Sequence, residues 1–381
     1  MRLFNWHVEG RRQKLSVNML NRRHLLAATG SLIVLPAGVA RADAAGWDAA
    51  LDQAFAAGAA PALGGMVVGP QGAIWTGAKG LRRARGTDPA TAGDRWHLGS
   101  NTKAMTAAVY GRLVDQGQAR WDATLSSLLP GVAMDPAWRD VPITAVMGHV
   151  AGLSDQTAMG MTWLMTARDD PRTLPDKRRA LVEAFLAVPP AGTPGTFAYA
   201  NGNYVLLGAV IERITGEAWE QVMGSELFQP LGIESGGFGA PTGAQPWGHR
   251  ARRPVDPAGP GSDNPLAIGP AGTAHMTLAD YGRFLSVFLN DAGDWLSAES
   301  RARLMRPMGS GQPPYAGGWM VVEGQPWADG PALTHDGSNT MWYVSAWVAP
   351  GTQRAFVAVS NDGEAGRAAC QALIPGLIRA T

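Results

Sequence analysis

Residues 341–360 read MWYVSAWVAPGTQRAFVAVS. Two apolar runs of strand length, 341–350 and 354–360, flank a short turn at Gly351, Thr352 and Gln353. They are rich in Val, Trp, Tyr and Phe, the residue types that suit a pleated surface. Just upstream, GGWMVVEG (317–324) reads as another strand. At the other end of the chain, GGMVVGPQGAIWTGAKG (64–80) reads as two strands around a Pro70-Gln71-Gly72 turn. Strands at both ends with helices between them predict a mixed α/β (α+β) fold. One antiparallel sheet is built from both chain ends and flanked by helices, with a large, mainly helical subdomain inserted. Residues 43–99 and 305–381 would form the sheet part and 100–304 the helical part.

The helices are read from apolar residues recurring at helical spacing. WDAALDQAFAAG (47–58) is a short helix stopped by Gly58. A helix from about Ser100 to Gly117 would bury Met105, Ala108, Val109 and Leu113. NYVLLGAVIERITG (203–216) carries Leu206, Leu207, Val210, Ile211 and Ile214 on one face. TLADYGRFLSVFLN (277–290) begins with Thr277 and has Asp280 at the capping-box position. A last helix ends near Arg379. Residues 240–266 are dense in Pro and Gly and show no period, so they read as a long loop.

Hydrophobic residues are 46% of the 381 and charged residues 17%, the balance of a globular protein with a large core. The net charge of +1 gives no basis for binding nucleic acid or an anionic membrane. The single cysteine, Cys370, cannot form an internal disulfide and lies in an apolar run, as a small buried hydrophobe would. Residues 21–44 hold Arg22-Arg23, an apolar stretch from Leu25 to Ala40, and Ala40-Arg41-Ala42. That is the layout of an export leader of the twin-arginine kind, with a small-residue cleavage site. Residues 1–42 are therefore expected to be a leader and 43–381 one catalytic domain, periplasmic or secreted. No stable membrane span is expected after cleavage.

Three short motifs carry chemistry. The first is Ser100-Asn101-Thr102-Lys103. Residues three apart share a helix face, and an amine can take a serine's proton if its surroundings lower its pKa. Lysine is scarce here, at positions 14, 79, 103 and 177 only. Arginine could not replace it in this role, because it does not lose its proton. The second motif is Tyr199-Ala200-Asn201. A tyrosine beside an ammonium group can share the proton, and an asparagine can both donate to a substrate carbonyl and accept from lysine. The third is His335-Asp336-Gly337. Gly337 would let a strand backbone approach substrate, so that the N–H of Ser338 joins that of Ser100 in an oxyanion hole. Asp336 reads as a turn residue and His149 as a structural hydrogen-bonder. Met159, Met161 and Met165, with Trp163, fit core packing or an apolar lid.

Together these residues resemble the serine β-lactamase and penicillin-binding protein family, on the branch that holds class C β-lactamases, D,D-peptidases and esterases. Tyr199-x-Asn201 stands where Ser-Asp-Asn would, and His335-Asp336-Gly337 where Lys-Thr-Gly would. FAYANGNYVLLGAVIERITG (197–216), VMGHVAGLSD (146–155) and GPAGTAHMTLADYGRFL (269–285) are similar to segments of that branch, and the likeness covers roughly 50 to 375. The resemblance implies an acyl-enzyme on Ser100, with Lys103 and Tyr199 passing the proton. Asn201, His335, Gly337 and Ser338 would bind substrate. No metal or organic cofactor is implied. The substrate would be a small molecule or peptide: a D-amino-acid peptide, a small ester or a β-lactam. A lysine in the third motif is associated with dedicated β-lactamases, and His335 favours the peptidase and esterase members. A penicillin- or peptidoglycan-binding protein with slow turnover is the competing class. A Ser-His-Asp α/β-hydrolase is excluded, since no Gly-x-Ser-x-Gly elbow occurs.

Overall fold

Strand β1 (Ala62–Gly69) lies at the centre of the molecule's construction, because it pairs with a neighbour in sequence on one side and with the far end of the chain on the other. The computed structural model describes residues 44–290 and 295–381. The expected leader lies outside the described residues. The other strands, in chain order, are β2 (Gly72–Gly80), β3 (Arg95–His97), β4 (Gly237–Phe238), β5 (Gly248–Arg250), β6 (Arg253–Val255), β7 (Ala274–Thr277), β8 (Met320–Val322), β9 (Ala332–Ser338), β10 (Tyr343–Ala349) and β11 (Arg354–Ser360). The main sheet has six strands in the order β2-β1-β11-β10-β9-β8, all antiparallel. Its β1–β11 seam sets Leu63 opposite Ser360 and Val68 opposite Ala355, which closes the fold with both ends of the chain.

Successive side chains of a strand point to opposite faces, and both faces of this sheet are covered. Leu63 and Val67 of β1, with Phe356 and Ala358 of β11, pack under the helices Ala44–Ala57 and Ala365–Arg379. Trp47, Leu51, Leu373 and Leu377 complete that layer, and Cys370 is buried in it. The alternate residues, Met66, Val68, Val357 and Val359, face the larger core shared with the inserted helices. Two covered faces explain why these strands read as continuous apolar runs.

The helix Thr102–Asp115 is the axis of the inserted part. It is buried on nearly all sides, not only along Met105, Ala108, Val109 and Leu113. The helix Asn201–Thr215 ends on Gly216 in the left-handed conformation, at φ 75°. Thr277 caps the helix Leu278–Ser286 by accepting from the Asp280 N–H. The expected capping box is not completed. The Asp280 carboxylate instead accepts from the N–H groups of Glu234 and Ser235, at 3.1 and 2.8 Å.

Two other expectations need correction. The long loop 240–266 contains the β5–β6 hairpin, held by the buried His249, whose Nδ1–H donates to the Asn361 carbonyl at 2.7 Å. Asp336 lies within β9 opposite Ser345 and accepts from the Tyr343 hydroxyl at 2.6 Å, so it is a strand residue. Among the described residues no helix is long and apolar enough to cross a membrane.

Candidate active site

The turn that presents Ser100 is built by its neighbours. Gly99–Asn101 form one 3₁₀ turn that runs into the helix Thr102–Asp115. The Thr102 hydroxyl donates to the Gly99 carbonyl at 2.7 Å and accepts from the Ala274 N–H at 3.1 Å. Asn101, fully buried, donates to the His335 carbonyl of β9 and accepts from the Tyr281 hydroxyl at 2.7 Å. The turn is thereby tied to β7, β9 and the helix Leu278–Ser286.

β9 and the turn approach closely enough to exclude a side chain between them. A β-carbon on Gly99, at φ +49°, would sit 2.5 Å from Ser338 N, and one on Gly337 would sit 2.2 Å from Leu98 O. Gly337 thus serves the approach of the Leu98–Gly99 backbone. The same contact brings the Ser338 backbone beside the turn that carries the Ser100 N–H. Gly337→Ala should cost roughly 1–3 kcal/mol of stability, as forced overpacking does, and should lower kcat by moving this turn. Thermal denaturation and ester hydrolysis check both. A variant with wild-type stability and rate would disprove the close contact.

The first two motifs meet at one hydroxyl. Lys103 Nζ donates to Ser100 Oγ at 3.1 Å, to Asn201 Oδ1 at 2.9 Å and to the Ala271 carbonyl at 2.7 Å. Three acceptors match the three N–H bonds of an ammonium group. The Tyr199 hydroxyl donates to Ser100 Oγ at 2.9 Å, and either hydroxyl can carry the proton of this bond. The ammonium also lies over the Tyr199 ring, 4.8 Å from its centroid. Lys103 is fully buried, whereas Ser100 is partly exposed, as access by a ligand requires.

Residues the motifs did not identify hold this arrangement. Asp155 accepts from the Gly202 N–H at 2.8 Å and faces Asn201 Nδ2 at 3.4 Å, which orients the amide oxygen of Asn201 towards Lys103. The Ala271 carbonyl fixes Lys103 from the glycine turn before β7. Asp155 and Ala271 fall inside the segments 146–155 and 269–285 singled out by resemblance, but nothing local in the sequence predicts either contact. His97 takes the Gly99 N–H on Nδ1 and donates from Nε2 to Asp263 at 2.8 Å. Asp263 also accepts from Asn339, the residue after Ser338, at 2.8 Å. The long loop therefore braces both backbone segments of the expected oxyanion hole.

His335 was expected to bind substrate, but its ring is turned into the protein. It is 5% exposed. Its Nδ1–H donates to the Asp336 carbonyl at 2.7 Å, and Nε2 accepts from the Tyr315 hydroxyl at 3.0 Å. Burial, with help from the Lys103 charge, pushes its pKa down to about 3. It is a neutral imidazole with both nitrogens engaged, and so a poor grip for a carboxylate. Of the methionines, Met159 is buried, whereas Met161 and Met165 are exposed and do not pack in the core. Among the described residues no group of three or more His, Cys, Asp or Glu side chains is placed to hold a metal ion.

Comparison with known proteins agrees with this geometry. The chain is 29% identical over 303 residues to penicillin-binding protein 4 of Amycolatopsis lactamdurans, covering 74% of this chain and 76% of that one. It is 27% identical over 207 residues to the lovastatin esterase of Penicillium rubens, half of each chain. The fold matches a D-stereospecific amidohydrolase from Streptomyces sp. with a TM-score of 0.66 at 22% identity, over 87% of this chain and 97% of that one. The beta-lactamase family model matches residues 47–374. With a serine, a lysine and a tyrosine converging on one oxygen inside that span, the chain belongs to the beta-lactamase family and is a serine hydrolase of the β-lactamase and penicillin-binding protein fold.

Proposed function

We propose that the protein is an exported acyl-transfer hydrolase acting through Ser100 on small esters or on amides such as D-amino-acid peptides. The observation that carries this is the convergence of Lys103 and Tyr199 on Ser100 Oγ, at 3.1 and 2.9 Å. The Ser100 proton passes to the Lys103–Tyr199 unit, which reacts in the form that is one proton short, as an amine with a phenol or an ammonium with a phenolate, while Oγ bonds to the substrate carbonyl carbon. The carbonyl electron pair moves to oxygen, where the N–H groups of Ser100 and Ser338 receive it. Collapse re-forms the carbonyl and breaks the bond to the leaving alcohol or amine, which takes the proton. Water then attacks the acyl-serine ester by the same route and releases the acid. Asn201 has its oxygen on Lys103 and one amide N–H towards Asp155, leaving the second N–H to orient the acyl group. The leader layout of residues 21–44 supports export.

The state of His335 argues for substrates without a free carboxylate beside the scissile bond. A neutral, internally bonded imidazole offers no charge to hold one. The mature protein should therefore hydrolyse p-nitrophenyl esters and C-terminally amidated D-alanyl peptides with a kcat/KM at least about 10-fold above the matching free-acid peptides and nitrocefin. That is a difference of about 1.4 kcal/mol in transition-state binding. Faster turnover of nitrocefin than of any ester would instead establish a β-lactamase. The name of the 29% identical relative favours one second reading, a penicillin-binding protein with slow turnover. A single burst of product followed by almost no steady-state release would identify it.

A further inference from the structure

His149 belongs to no catalytic motif and is fully buried. Its contacts nonetheless surround Tyr199. The His149 carbonyl accepts from the Ala198 N–H at 2.8 Å, and Nδ1 faces the Ala200 N–H at 3.3 Å, so both neighbours of Tyr199 are held by this one residue. The imidazole lies against the Tyr199 ring with centroids 4.4 Å apart and 36° between planes. Nδ1 also accepts a hydrogen bond from Asn203 Nδ2 at 2.9 Å, on the first turn of the helix that carries Asn201. The imidazole also meets the Tyr315 ring, with centroids 4.7 Å apart and 67° between planes, and Tyr315 in turn donates to His335. The backbone of His149 is left-handed, at φ 57°, a conformation kept only where the surroundings impose it.

Resting on the reading that Tyr199 exchanges a proton with Ser100, we propose that His149 is a positioning residue that fixes the Tyr199 phenol at Ser100 Oγ. Two donors to Nδ1 require that nitrogen to be unprotonated, which leaves the proton on Nε2. Among the described residues Nε2 has no hydrogen-bond partner, and the imidazole packs against the rings of Tyr199, Tyr204 and Tyr315. Burial, then the Lys103 charge and His335, hold the His149 pKa well below the usual imidazole range. The neutral form that the contacts need is therefore the form present at neutral pH. His149 acts on the reaction only through where it places Tyr199, so its contribution should exist only while Tyr199 has a hydroxyl to place.

A double-mutant cycle reads this directly. His149→Asn keeps an acceptor near Nδ1 and tolerates the left-handed backbone, but removes the ring. His149→Phe keeps the ring and removes the acceptor. In the native background each should lower kcat for a p-nitrophenyl ester about 10- to 50-fold with KM within about 3-fold, since a small misplacement of a reacting group costs up to ~10². In a Tyr199→Phe background the same changes should alter kcat less than about 2-fold. Equal losses in both backgrounds, or a change confined to KM, would overturn the proposal. Failure of both variants to fold by circular dichroism would assign His149 to stability and overturn it too. Full activity of Tyr199→Phe with His149 intact would overturn the reading that Tyr199 exchanges a proton with Ser100, a result the cycle separates from the other outcomes.

Discussion

Ser100→Ala should abolish covalent labelling by a fluorophosphonate probe and lower kcat/KM for esters by roughly 10⁴-fold or more, the scale of losing a nucleophile that works as part of a unit. The substitution removes one oxygen and leaves Lys103 on Asn201 and Ala271. Ser100 is partly exposed, so no cavity forms in the core and the melting temperature should stay within a few degrees. Folding and chemistry are thus separable in this variant. Residual activity would come from the Ser100 and Ser338 N–H groups and from substrate binding alone. Intact-mass analysis of the labelled protein decides the matter: labelling at full stoichiometry in Ser100→Ala would place the nucleophile elsewhere and remove the basis of the proposed function.

The parts of this molecule that sequence reveals are those with local causes. Ser100 and Lys103 were legible because a helix brings residues three apart together, and their Nζ–Oγ contact of 3.1 Å follows from that spacing. The β10–β11 hairpin was legible because two strands and a turn are contiguous in the chain, and β11 occupies the predicted 354–360. Contacts between distant residues left no such trace. Asp155 reaches Gly202 across 47 residues, and Asp263 reaches His97 across 166. The period of the helix Thr102–Asp115 was only half informative, because a helix buried all round has no polar face to set the contrast. His335 was expected to bind substrate, yet its orientation depends on Tyr315, which sits on a different stretch of chain. A motif fixes which backbone passes the site. The partners of a side chain decide whether it faces the ligand.

Lys103→Met and Lys103→Arg should both lower kcat/KM by roughly 10²–10⁴, or ~3–5 kcal/mol at ~1.4 kcal/mol per tenfold, as expected for a displaced general base. Methionine matches the length of lysine without its charge, and arginine keeps the charge without the ability to give up a proton. Lys103 is fully buried and bonded to three oxygens, so a guanidinium must also fit where a single nitrogen sat. The methionine variant therefore guards against reading a steric failure as a chemical one. Tyr199→Phe removes only a hydroxyl and should preserve the fold. If Lys103 and Tyr199 share one proton over Ser100 Oγ, their titrations belong to the pair, and losing either member disables the unit. The Lys103→Met, Tyr199→Phe double variant should then be no worse than the poorer single variant, within about 3-fold. Steady-state kinetics on one ester, with circular dichroism for folding, supply all the rates. Single losses that multiply in the double would show two independent contributions and end the shared-proton account. An arginine variant that kept most of its activity would reduce Lys103 to a source of charge, with Tyr199 left as the group that takes the proton.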